Sequence, residues 1–229
     1  MAYFQSTYHS KIYRDFREIG ILEYRAVIRF YEENESEIRH LDFKEYFELL
    51  VAYTNALFEI GSYQKHLLMV DTVLETTIRN NISTYKGENI FNCMLFKKAA
   101  SHYNVLDHDK ADYILRELIK IEPGDEDSAM FLKKCLRKKQ PAFIKNTRAT
   151  SIFLFLLTAL VICIEVLFVR PFYDMHANLV ETSRMSIFFM GFLILVGGDL
   201  YHRWLVEKEV NNYVAEVKNT KQQKSSSPI

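Results

Sequence analysis

Proline and glycine are scarce in this chain. Its 229 residues hold four prolines and seven glycines, and Pro123 is the one proline in the first 140. Helix breakers are therefore absent over long stretches, and sustained strand alternation is absent too. Apolar residues recur instead at helical spacing, as in Ile28 and Tyr31 or Leu115, Leu118 and Ile119. The expected fold class is all-α. The three cysteines, Cys93, Cys135 and Cys163, are odd in number, far apart and without a C-x-x-C pair, which excludes a disulfide framework or a zinc motif. Net charge is absent, 29 basic residues against 29 acidic, so nothing global points to nucleic acid. The N-terminal stretch MAYFQSTYHSKIYRDFREIG lacks the apolar core and cleavage site of a secretory leader. Phosphate-loop, dinucleotide, zincin and hydrolase-elbow motifs are missing as well. His102, His108, Asp109 and Asp112 lie close in sequence without a metal-ligand spacing. The chain reads as non-enzymatic, with no cofactor and no metal.

What is present is a split. Residues 1–140 are charged and helical. Ser151 to Val169 is a 19-residue apolar run, SIFLFLLTALVICIEVLFV, near the ~20 residues a spanning helix needs. A second apolar stretch runs from Met185 to Gly198 and on through Trp204, Leu205 and Val206. The expected organisation is a cytosolic domain over 1–140 and a basic juxtamembrane linker over 141–150. A two-helix transmembrane hairpin follows over 151–206 with an external loop at 170–184, then a helical extension and disordered tail over 207–229. Before the first span, Lys133, Lys134, Arg137, Lys138, Lys139, Lys145 and Arg148 form a run with no acid. Arg203, Lys208, Lys218, Lys221 and Lys224 follow the second, while only Arg170 and Arg184 lie between. Lys and Arg collect on the side that is not translocated, so both termini are expected to be cytoplasmic. The basic run is also placed to meet anionic lipid head groups.

Two segments of the soluble part resemble each other. AYTNALFEIGSYQKHLLMVDTVL, from Ala52, aligns with ASHYNVLDHDKADYILRELIKIEP, from Ala100, when Lys65 is set on Lys110. Each reads as an aromatic-rich helix, a short turn and a second apolar helix. The later segment resembles a tetratricopeptide repeat, with Ala111 at the small position where the two helices touch and Glu122-Pro123 at the end. The earlier segment is similar but places His66 at the small position, which is expected to loosen that contact. A degenerate third unit is expected around Phe16 to Tyr31, with Gly20 in the turn and Ala26 at the small position. The spacing of about 45 residues exceeds the 34 of the family, the excess falling between Glu75 and Phe91. A helix over 126–139, capped by Asp125, is expected to close an array of about three units.

The resemblance implies a concave groove lined by the first helix of each pair. Its residues would be Glu48, Val51, Asn55, Phe58 and Glu59 from one unit, and Cys93, Phe96, Ala100, Tyr103 and Asn104 from the next. Aromatic and polar groups so mixed suit a segment of another protein. The acidic stretch from Glu32 to Glu48 is a further surface that could dock a basic partner, or simply a solvated face.

In the hairpin, Glu165 interrupts the first span near its outer end, and Arg170 and Arg184 flank the same boundary. A Glu165 pair with Arg184 or Arg170 would neutralise the charge. Asp199 lies near the inner boundary with Arg203 four residues on. Ala159, Cys163, Gly191 and Gly198 are expected as the small-residue packing face. Trp204 and Tyr201 mark one interface, Phe172 and Tyr173 the other. The expected function is a membrane-anchored adaptor whose groove binds a protein segment at the bilayer surface. The alternatives are an accessory subunit of a transport or secretion complex coupled through Glu165, and a membrane-bound enzyme.

Overall fold

The computed structural model describes residues 10–20, 22–139, 141–169 and 177–226. The helices are α1 (Lys11–Glu18), α2 (Tyr24–Glu33), α3 (Glu35–Ile38), α4 (Phe43–Glu59), α5 (Tyr63–Arg79), α6 (Ile90–Asn104), α7 (His108–Ile121), α8 (Glu126–Lys138), α9 (Ala142–Ile164) and α10 (Ala177–Ser226). A π-helical turn, Glu165–Val169, extends α9. Among the described residues the strands are β1 (Thr84–Tyr85) and β2 (Glu88–Asn89), one antiparallel ribbon. The fold is all-α. The ribbon turns on Lys86 and Gly87, both at positive φ (51° and 88°), as a two-residue hairpin turn requires. Two compact units divide between Ser128 and Ala129, inside α8, rather than at residue 140.

In the first unit, polar caps start the helices. Ser10, Asp42, Asn89 and Asp107 accept backbone N–H bonds at the openings of α1, α4, α6 and α7. Three helix ends close the same way. Gly61, Asn81 and Leu106 sit at positive φ, and the next N–H reaches back to the carbonyl five residues earlier: Ser62 to Leu57, Ile82 to Thr77, Asp107 to His102. Gly61 and Leu106 are 45 residues apart, the offset that aligned the two sequence segments. Along the chain α4 packs on α5, α5 on α6, and α6 on α7. Ala111 is fully buried.

The core gathers Ile38, Leu49, Leu50, Leu57, Val70, Val73 and Met94, with Tyr31 stacked on Tyr53 at 4.1 Å. Each such buried aliphatic side chain contributes about 1.5–3 kcal/mol. The degenerate third unit does not form as a helix pair. Both α1 and α2 pack along α4, and the Phe16–Phe30 ring pair at 6.0 Å lies between them. Ala26 is half-buried, and α2 buries Val27 and Tyr31 instead, because its apolar face is turned to α4.

In the second unit α9 packs along α10. The seam on α9 is Ile144, Thr147, Ser151, Leu154, Thr158 and Glu165, buried or half-buried at steps of three, four and seven. Across it lie Arg184, Gly191 and Gly198, also seven apart. A Cβ at Gly191 would meet Leu154 Cβ at 3.2 Å, and one at Gly198 would meet Thr147 Oγ1 at 3.0 Å. The expected small residues of α10 therefore do pack, but Ala159 and Cys163 face outward, exposed. The reason is hydroxyl chemistry: Ser151 and Thr158 return their hydroxyls to the carbonyls of Thr147 and Leu154, so polar residues of modest size take the seam.

The outward faces stay apolar and exposed, with Phe153, Leu156, Leu160, Phe189 and Leu193 among them. Ala142–Phe168 and Asn178–Gln223 are long and apolar enough to cross a membrane. Three boundaries differ from expectation. Residues 142–150 are the first turns of α9 rather than a linker, since nothing after Pro141 breaks the helix. Residues 177–184 of the expected external loop are helical, as the first turns of α10. The polar tail is helical through Ser226, because Lys, Gln and Glu sustain a helix that no proline or glycine interrupts after Gly198. Arg170, Phe172 and Tyr173 lie outside the described residues.

Candidate functional site

The first unit carries a cleft of about 770 Å³. The first half of α6 supplies Asn92, Cys93, Phe96 and Lys97; α7 supplies Leu118, and Glu122 caps its end; the ribbon and the α7–α8 turn close the two ends. Asn92 donates to the Glu122 carboxylate at 2.8 Å and ties the mouth of α6 to the end of α7. Asp125 accepts from the Asp127 backbone and the Ser128 hydroxyl, which fixes the start of α8. The wall is apolar at Phe96 and Cys93, over the buried Leu118. The rim is acidic, with Glu88, Glu122, Asp125, Glu126 and Asp127 against Lys97.

Lys97 organises the neighbouring surface. Its ammonium donates to Asn55 at 2.7 Å, lies 3.7 Å from Glu59 and sits 5.3 Å from the Phe58 ring centre. Asn55, Phe58 and Glu59 of α4 thus meet Lys97 of α6, while Cys93 and Phe96 line the cleft on the same helix. The other expected lining residues are not on this surface. Val51 and Ala100 are buried in the core and present nothing to a ligand. A helix in contact with neighbours on several sides buries those positions whatever the groove register. Glu48 faces the ribbon side, where it accepts from Tyr13 at 2.7 Å and pairs with Arg17 and Lys86. Tyr103 meets the His108 ring, and the Asn104 amide donates back to Ala100. Lys97, Asn92 and Glu122 were missed. The available signal for Lys97 was a lone pair of lysines, 97 and 98, in an otherwise uncharged helix.

The acidic stretch is mostly used internally. Glu32 accepts from Tyr53 and Lys65, Glu35 pairs with Arg39, and Glu45 accepts the Ser10 N–H at 3.1 Å. The Lys65 and Tyr53 bonds hold the Glu32 carboxyl below its ordinary range, the Lys65 bond most strongly. A second cavity of about 620 Å³ lies along this stretch, lined by Glu35, Arg39, Phe43 and Tyr46, but there the one acid is paired with Arg39, whereas the rim of the first cleft carries five acids.

Burial governs the titratable groups beneath it. Burial pushes the Cys93 thiol up, so the thiolate form that would act as a nucleophile is disfavoured. His66 is fully buried, its Nδ1 2.8 Å from the Ser101 hydroxyl, and burial lowers its pKa to about 4. At neutral pH it is an uncharged imidazole joining α5 to α6. Toward α4, at the contact His66 was expected to loosen, its ring lies 5.3 Å from the Phe58 ring. Asp107 caps α7 directly at His108, and Asp112 pairs with Arg116 at 2.7 Å. Among the described residues no three His, Cys, Asp or Glu lie close enough to hold a metal ion.

In the hairpin, Glu165 is 1% exposed and accepts from Arg184 Nη1 at 2.9 Å. The acid opens the π-helical turn. At the other end Asp199 receives two guanidinium groups, Arg203 at 3.3 Å along its own helix and Arg148 at 3.5 Å across the hairpin. The cross-hairpin partner escaped sequence reasoning because it depends on the register set at Gly198 and Thr147. His202, one position before Arg203, is buried, with the Phe143 ring at 5.9 Å. Comparison with protein-family models, curated proteins and solved structures finds no match.

Proposed function

We propose that this chain is a non-enzymatic, membrane-anchored adaptor. Its first unit is read as a tetratricopeptide-like array that binds a protein segment, and α9 and α10 as a transmembrane hairpin that holds the complex at the bilayer. The observation that carries the reading is the cleft: an apolar wall at Phe96 and Cys93 beneath an acidic rim. The repeat reading is supported by the same helix-ending motif at Gly61 and Leu106, 45 residues apart. The membrane reading is supported by the outward faces of α9 and α10, whose large apolar side chains stay exposed as lipid contact requires. An even number of spans puts both termini on one side, and the basic residues flanking the hairpin make that side cytoplasmic.

The test is capture from detergent extracts, with bound proteins identified by mass spectrometry. Reversing the rim at its exposed acids with Glu88→Lys and Glu126→Lys is expected to lose the captured partner at normal abundance, while Glu165→Gln keeps it. The second reading, an accessory subunit of a membrane complex, draws on the buried Glu165–Arg184 pair at a π-helical turn, a feature frequent at functional sites. Under that reading Glu165→Gln loses the partner and the rim variant does not.

A further inference from the structure

At the Asp199 end of the hairpin, α9 and α10 enclose a cleft of about 450 Å³. One wall is apolar, formed by Ile144, Leu195, Val196 and Leu200; the other carries Arg148 and Arg203. The two arginines come from different helices, and one carboxylate holds both. Their side chains are 46% and 63% exposed, so each guanidinium keeps open donors beyond those that face Asp199. Five N–H donors per guanidinium cannot be exhausted by a single carboxylate at 3.3 and 3.5 Å. The local balance is two positive charges against one negative.

This amphipathic layout fits one ligand chemistry. A phosphodiester would lie between the two guanidinium forks, which match phosphate oxygens in pairs. An acyl chain attached to it would run along the apolar wall. Free phosphate would use only the first half of the cleft. Trp204 and Tyr201, both more than half exposed, stand beside the arginines, where interfacial aromatics belong. Lys208 lies 5.0 Å from the Trp204 ring and adds positive charge on the same side.

We infer that the cleft between α9 and α10, headed by Arg148 and Arg203, binds the headgroup and upper acyl chain of an anionic phospholipid. The inference rests on the membrane reading of the hairpin. Asp199 keeps the arginines together when the site is empty and competes with the phosphate for them when it is filled. The lipid then acts as a clamp across the cytoplasmic end of the hairpin, opposite the Glu165–Arg184 pair.

The experiment uses the full-length chain. Carbonate extraction of membranes first asks whether the chain is integral; release into the supernatant removes the membrane reading itself. The retained protein is then purified in detergent with equal phosphatidylglycerol and phosphatidylcholine, and bound lipid is read by native mass spectrometry. Wild type is expected to retain phosphatidylglycerol at least tenfold over phosphatidylcholine. Arg148→Gln with Arg203→Gln should abolish that preference, and Lys218→Gln with Lys221→Gln, on the same helix beyond the cleft, should keep it. Asp199→Asn, which removes the competing carboxylate, should raise retention severalfold, a gain that misfolding cannot mimic. Excess glycerol phosphate should not displace the lipid. The inference is overturned by equal retention of the two lipids, by indifference to the arginine pair, by no gain in Asp199→Asn, or by displacement with glycerol phosphate, which would make the site one for soluble phosphate.

Discussion

Acidification should loosen the first unit through one residue. His66 is fully buried between α5 and α6, and its pKa is lowered to about 4 by burial first and then by the nearby Lys97 charge. Protonation adds an N–H donor to the ring, and Nε2 meets no hydrogen-bond acceptor among the described residues. The folded state therefore resists the proton while the unfolded state, with an ordinary pKa near 6.5, takes it up. The sign follows. The stabilisation is fully present above about pH 6.5 and is lost as the pH falls toward 4. From pH 7 to pH 5 the two pKa values give a loss of about 2 kcal/mol. Burial also lowers the pKa of His102, which adds in the same direction.

The assay is hydrogen exchange of backbone amides in 66–74 of the full-length protein, at pH 7 and pH 5. Protection should fall about thirtyfold beyond the intrinsic pH effect on exchange, the equivalent of about 2 kcal/mol. The control removes both partners of the hydrogen bond, His66→Leu with Ser101→Ala, so that no orphan hydroxyl remains. His102 stays in both chains, so the difference between them isolates His66. Equal pH dependence in wild type and double variant would refute the reasoning.

Other expectations concern the turns and the hairpin. Leu106 is 78% exposed and held at φ 66°, so Leu106→Gly should stabilise the first unit by about 0.5–1 kcal/mol in urea titration, whereas a loss would mean its side chain is anchored. Glu165 is 1% exposed but the Arg184 side chain is 22% exposed, so the pair should break asymmetrically. Arg184→Gln, which takes a guanidinium from a buried carboxylate, should lower abundance, while Glu165→Gln, whose arginine can reach water, should be tolerated. Equal abundance of the two variants would contradict this. For topology, a cysteine at Asn178 in a chain stripped of its native cysteines should react with an impermeant thiol reagent on intact cells, and one at Ser226 should not; the reverse labelling would invert the orientation.

The helical class was legible because it rests on local signals. Apolar periodicity, few breakers and a run of 19 apolar residues need no tertiary information. The 45-residue offset marks equivalent turns even though one holds Gly61 and the other Leu106, since the helix-ending geometry is set by backbone bonds. What was not legible depends on which face of a helix meets which neighbour. Val51 and Ala100 were placed on a surface and are core. Ala159 and Cys163 were placed on the seam, which uses Ser151 and Thr158 because their hydroxyls bond to their own helix. Arg148 could not be matched to Asp199, nor Lys97 to Asn55 and Glu59, because those partners are 51, 42 and 38 residues away and are joined by packing alone.

On the proposed reading, the cleft around Phe96 meets a protein segment while the hairpin sits in the membrane. A photo-crosslinking amino acid placed at Phe96, in intact membranes, tests it directly. A second probe at Tyr113, which is 67% exposed and outside the cleft, serves as the reference. Position 96 should give a discrete protein adduct that disappears in the Glu88→Lys and Glu126→Lys background, and position 113 should give none. No adduct at 96, or the same adducts from both positions, would contradict it.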